Sequence, residues 1–222
     1  MISRKIAAVS LAVNIVIVLS TIGIIVSYFL GNDGQYHIPL SFRFFLFTTD
    51  SNIICMMTSA VLSFFEIRFL KTGKEIPRLP LILKFAGATA VALTFWVVVL
   101  FLGPNTDFMT MVFGGTSVYM HFAGPILAFV SFCFIENIHR ISLKMLFPAA
   151  LPTFIYGIVY VTMVVFIGSE NGGWTDFYGF NTGGLWYISF PAICLLSLGL
   201  AAVLRIIHNK NLPVSAIEPD RE

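Results

Sequence analysis

Residues 81–102 read LILKFAGATAVALTFWVVVLFL. One charge, Lys84, stands in the run, and no turn signal interrupts it. A membrane span needs roughly 20 predominantly apolar residues. The stretch therefore predicts a transmembrane helix, with Lys84 read as part of its basic flank. On the same criterion, further spans are predicted at 6–29, 44–65, 117–135, 146–168 and 184–207. The run at 6–29 is longer than the apolar core of a signal peptide, and no small-residue cleavage site follows it. It is expected to be a retained helix.

The composition agrees. The chain has 222 residues, 58% of them hydrophobic and 11% charged, with a mean hydropathy of +0.91. A soluble domain carries about 25% charged residues, so this chain lacks the charge to cover a globular surface. The expected fold class is all-α: a polytopic bundle of six transmembrane helices, with residues 1–208 in the bundle and 209–222 a short tail containing Pro213 and Pro219. Basic residues sort by loop. Arg4 and Lys5, then Arg68, Lys71, Lys74, Arg78 and Lys84, then Arg140 and Lys144, then Arg205, Lys210 and Arg221 all fall on one side of six spans; Arg43 is the exception. Asp33, Asp107, Glu170 and Asp176 occupy the other loops. By the positive-inside rule both termini are expected in the cytoplasm. The chain is expected to be an integral multi-pass membrane protein, of the plasma membrane if the source is bacterial.

The net charge of +2 is thus a sorted charge. No basic patch is interleaved with exposed aromatics, which argues against nucleic acid. Cys55, Cys133 and Cys194 all lie within spans and form no C-x-x-C pair, so they read as small packing residues. No cofactor or metal is expected, since zinc needs three or more converging ligands. The nearest combination is His37, His121 and an acid. His139 and His208 lie near the other face.

The polar block FLFTTDSNIICMM, residues 45–57, opens the second span. From Thr48, the positions three and four apart are Ser51, Asn52, Cys55, Thr58, Ser59 and Ser63, one stripe of small or polar residues. Such a stripe suits a close contact between membrane helices. Asn52 is poorly explained as a seam residue, because its amide needs partners in oil. Asp50 lies on nearly the opposite face. Two roles are open to it: an ion pair with Arg43, or orienting a histidine of the fourth span. That histidine, His121, comes out level with Thr48 and is followed by Gly124 and Pro125. Proline lacks an N–H, so the carbonyl four residues earlier, that of His121, is expected to be free and the helix kinked. The last outer loop, GSENGGWTDFYGFNTGGLWY, is read as an aromatic belt through Trp174, Tyr178, Trp186 and Tyr187, or as a lid whose polar contacts are Asp176 and Asn181.

Thr48-Thr49-Asp50-Ser51-Asn52 after an aromatic run resembles the F-T-x-x-S-N signature of the androgen-induced-protein family of six-span membrane proteins. His121 to Pro125 is similar to that family's H-x-x-x-P, and GGWTDFYGF to the stretch before its last span. Animal members are threonine hydrolases that split esters between a fatty acid and a hydroxy fatty acid. The resemblance implies a membrane hydrolase of lipid esters with Thr48 as nucleophile and His121 as base; Thr49 is the rival nucleophile. Asp50 departs from the apolar residue expected there. Thr49, Asp50, Ser51, Asn52, Pro125 and Asp176 would support the site, with Asn52, Ser51 or backbone N–H groups facing the oxyanion. The competing reading is a small-solute transporter or substrate-binding membrane subunit with the same pocket. Against ion coupling, the sequence shows no charges placed at mid-membrane on several helices.

Overall fold

The computed structural model describes residues 3–31 and 39–213, and these are all helix, turn and loop. His37 and the residues from 214 onward lie outside them. Six helices are long and apolar enough to span a membrane: span 1 (Arg4–Leu30), span 2 (Phe47–Thr72), span 3 (Arg78–Asn105), span 4 (Val118–Ile135), span 5 (Leu143–Ile167) and span 6 (Trp186–Lys210). The all-α six-helix architecture read from the sequence is the architecture found. Six crossings return the chain to the side where it began, here termed the terminal side.

Helix ends follow local chemistry. Ser3 caps span 1, its hydroxyl accepting the Ile6 N–H at 3.2 Å. Gly31 and Gly73 end spans 1 and 2 at φ of 66° and 71°, a left-handed conformation that glycine adopts without a Cβ penalty. Pro77 precedes span 3, where a missing N–H costs nothing. Span 6 runs to Lys210, and the Asn209 side chain bonds both the N–H and the carbonyl of Ile141. The ordered bundle thus takes in residues assigned to the tail on sequence.

Span 3 is the centre of the bundle. It packs against spans 2, 4, 5 and 6, while span 1 leans on spans 2 and 4. Spans 1 and 6 leave large apolar faces outward, including Leu19, Phe29 and Leu195, as lipid-facing helices do. At the core, Phe85 of span 3 stacks on Phe132 of span 4 at 5.1 Å, and Phe132 stacks on His208 of span 6 at 4.6 Å. The predicted seam on span 2 is real: Ser51, Asn52, Cys55, Thr58, Ser59 and Ser63 are all buried. Opposite it lies Gly87 of span 3, where a Cβ would come within 2.9 Å of the Cys55 Cα. The free thiols Cys55, Cys133 and Cys194 are buried packing residues, as expected.

Candidate functional site

The side opposite the termini carries the polar block. Leu40–Arg43 forms a separate short helix, and span 2 begins at Phe47. Thr48 therefore sits in the first turn of its helix, not a turn below its end as the sequence implied. First-turn N–H groups have no intrahelical acceptor. The Phe47 N–H donates to the Tyr178 hydroxyl oxygen at 2.9 Å, so the last loop caps this helix. The same hydroxyl also meets the side chains of Tyr156 and Thr48. Tyr178 lies outside the spans, and burial pushes its phenol up to about 12.

Thr48 is half-buried and lines a small cavity walled by Phe47, Leu93, Thr94, Tyr156 and Tyr178. The loop over it is held by aromatic contacts: Trp174 stacks on Phe45 at 4.9 Å, and Phe177 meets both Phe42 and Tyr160 at 5.0 Å. Trp174 and Tyr178 are thus packed inward, while Tyr187 stays exposed at the rim. Asp176 is not a free contact on a lid. Its carboxylate accepts from the Tyr160 hydroxyl at 2.8 Å and from the N–H groups of Phe180 and Asn181 at 2.9 and 2.8 Å, which folds the loop on itself.

Thr49 is buried, and the Ser51 hydroxyl pairs with Thr94 at 2.8 Å. The Asn52 amide donates to the Thr48 carbonyl at 2.8 Å and to the Met120 carbonyl at 3.1 Å. The reason lies in span 4. Val118–Ala123 is π-helical, and the Gly124 N–H reaches the Tyr119 carbonyl, five residues back. In that register Pro125 faces the Met120 carbonyl without a proton to give. The orphaned carbonyl is thus on Met120, not His121, and Asn52 supplies the missing donor. With both amide protons committed, Asn52 is not the oxyanion donor the sequence reading considered.

His121 is 9% exposed, and its Nδ1 lies 2.7 Å from the Met111 carbonyl. A carbonyl only accepts, so Nδ1 carries the proton and a neutral ring leaves Nε2 as an acceptor. Asn52 bonds the residue beside His121 and the carbonyl of Thr48, which brings both catalytic candidates to one level. Among the described residues no hydrogen bond joins Thr48 to His121. Among the described residues Asp50 pairs with neither Arg43 nor His121. The Arg43 guanidinium lies over the Tyr28 ring at 4.8 Å, and His121 is oriented by Met111. Asp50 instead opens into a groove between spans 2, 3 and 5, beside Ile54, Leu151, Ile155 and Trp174. An intramembrane carboxylate there is tolerable only near the interface, where insertion costs less.

The terminal half holds a second polar site, made of buried charges that the sequence reading did not bring together. Glu66 of span 2, Lys84 of span 3 and Glu136, just past span 4, are each 0% exposed. Lys84 is no loop flank; it lies about 9 Å along span 3 from Arg78, at 1.5 Å per residue, on the central helix. Its ammonium donates to Asn14 Oδ1 and to the Ser59 hydroxyl, both at 2.7 Å, and lies 3.7 Å from Glu136 Oε1. Glu136 Oε1 also accepts from Asn14 Nδ2 at 2.9 Å and the Ser131 hydroxyl at 2.5 Å. Glu66 bonds Ser10 and lies 3.5 Å from Asn14 Nδ2. Burying an ion costs several kcal/mol even after relaxation, and four segments of the chain supply polar groups to offset it. Nearby, His208 is 0% exposed, with Nδ1 2.8 Å from the Phe132 carbonyl and Nε2 3.0 Å from that of His139.

Comparisons with family models, with curated proteins and with solved structures found no match to this chain.

Proposed function

We propose that the chain is a membrane-embedded hydrolase of lipid (fatty-acid) esters, with Thr48 as nucleophile and His121 as general base, working in the cavity opposite the termini. One observation carries the reading: a buried histidine whose Nδ1 proton is fixed by Met111, leaving Nε2 basic, at the level of a threonine that lines an apolar cavity. A threonine hydroxyl is a weak nucleophile until a base takes its proton. In the proposed step that proton passes to His121 Nε2 as Oγ1 bonds the ester carbonyl carbon. His121 then protonates the departing alcohol. Water, activated by the same ring, cleaves the acyl-threonine and restores both groups. Among the described residues the resting hydroxyl is not bonded to the ring, and His121 does not line the Thr48 cavity, so the reading requires the two side chains to be brought together when substrate binds. The Tyr178 hydroxyl, on the cavity wall beside Thr48, is the proposed oxyanion donor, released from its resting partners when substrate binds.

Long-chain ester hydrolysis by the purified protein in detergent tests this. Thr48→Ala and His121→Ala should each abolish turnover, and the double variant should be no worse than either. Tyr178→Phe should lower turnover by roughly 10²–10³. Retained activity in Thr48→Ala moves the nucleophile to Thr49; retained activity in the Thr48/Thr49 double Ala variant removes the hydrolase reading. The second reading, a small-solute transporter using the same cavity, gains from the buried charges of the terminal half, since intramembrane ionisable residues mark ion and proton pathways.

A further inference from the structure

We infer that the buried cluster of Ser10, Asn14, Ser59, Glu66, Lys84, Ser131 and Glu136 is a proton-binding site, holding one exchangeable proton on Glu66. The inference rests on neither functional reading above.

The argument begins with charge. The cluster contains two carboxyl groups and one ammonium, all fully buried. With every group ionised, one negative charge is left without a counter-ion in a dry helix seam, the arrangement that low-dielectric surroundings penalise most. The ammonium of Lys84 already occupies the position a metal cation would take, between Asn14 Oδ1, Ser59 and Glu136. The remaining charge is balanced by a proton.

Hydrogen bonding then selects its place. Glu136 Oε1 receives Ser131 and Asn14 and has Lys84 beside it, so every group around that oxygen is a donor. Its Oε2 is buried with no hydrogen-bond partner among the described residues. A proton on Oε2 would be a buried donor with nothing to receive it. Glu66 differs. Its partner Ser10 is a hydroxyl, which accepts as readily as it donates. Protonated Glu66 keeps that bond with the roles reversed. The titratable and charged groups facing Glu66 are Glu136 and Lys84, with the Cys55 and Cys133 thiols beside them; span 1 offers only Ser10 and Asn14.

Occupancy has a mechanical consequence. Ser10 and Asn14 are the polar groups through which span 1 meets this cluster. Loss of the proton leaves like charges on Glu66 and Glu136 sharing the single Asn14 amide. That repulsion loosens span 1 from spans 2 and 4. A carboxyl that is neutral in the fold gives stability that is present at low pH and lost as it ionises.

Infrared difference spectroscopy of the full chain in nanodiscs tests this. At neutral pH the wild type should show the carbonyl band of a buried protonated carboxyl, lost as pH rises. Glu66→Gln should remove the band and make the melting temperature insensitive to pH over the range where the wild type falls. Lys84→Met removes the cation, so both carboxyls should protonate and the band should double in area. Should Glu66→Gln fail to fold, the Lys84→Met band decides. A wild type with no such band, a band that survives Glu66→Gln and vanishes in Glu136→Gln, or an undoubled band in Lys84→Met would each overturn the assignment.

Discussion

Asn52 turns a defect of one helix into a contact with another. Proline in span 4 removes a donor, the π-turn moves the loss to the Met120 carbonyl, and one amide from span 2 makes it good while holding Thr48 in place. Asn52→Leu keeps the branching and heavy-atom count of the side chain and removes the donor. It should destabilise the fold by about 1–2 kcal/mol, since interhelical bonds in membrane proteins average ~0.6 and reach ~1.7 kcal/mol while an orphaned buried carbonyl costs ~1–3 kcal/mol. Pro125→Ala restores an N–H in the register where Met120 needs one. A double-mutant cycle by thermal unfolding in detergent should therefore show Pro125→Ala recovering much of the Asn52→Leu loss. Additive losses would mean that Asn52 matters for some other contact.

At the scale of elements, the seam between spans 2 and 3 joins the two polar sites. Gly87 lets the helices approach at Cys55, and one turn toward the termini Lys84 reaches Ser59. Gly87→Ala places a Cβ against the Cys55 backbone, which has no side-chain freedom to yield. Overpacking of this kind costs about 1–3 kcal/mol, and the displacement falls on the Lys84–Ser59 bond. Thermal unfolding should show the loss, and Ser59→Ala should add less in the Gly87→Ala background than in the wild type. The seam was legible because small residues recur at helical spacing on one span. The charged cluster was not, because each span contributes one or two polar groups in an apolar frame: Asn14 in LAVNIVIV, Lys84 in LILKFAG, Glu66 in SFFEIRF. One signal was present. The stripe from Thr48 to Ser63 continues three residues on to Glu66, the same face. Lys84 looked like a flank because nothing in its own span says that this helix is the central one. Likewise the Pro125 signal predicted an orphan carbonyl, but the π-turn that shifted it by one residue is set by packing.

Across the whole molecule the polar groups form two layers, one at the end opposite the termini around Thr48, Asn52 and His121, and one in the terminal half around Lys84, Glu66 and Glu136. Lipid-facing apolar side chains surround both. The sorting of arginine and lysine predicts that the terminal side is cytoplasmic, and the structure makes that expectation easy to measure. The native thiols Cys55, Cys133 and Cys194 are buried, so they should stay silent toward a membrane-impermeant thiol reagent. Single cysteines then report sidedness against a clean background. Glu170 is a better reporter for the last outer loop than Asp176, because it is exposed whereas Asp176 holds that loop together. Glu170→Cys and Asp107→Cys should label in intact cells. Lys74→Cys and Arg140→Cys should label only after the membrane is permeabilised. Labelling of Lys74→Cys from outside would invert the orientation, placing the Thr48 cavity toward the cytoplasm and the Glu66 site toward the exterior. The proposed proton would then exchange with the outer solution, and a lipid ester would enter from the inner leaflet.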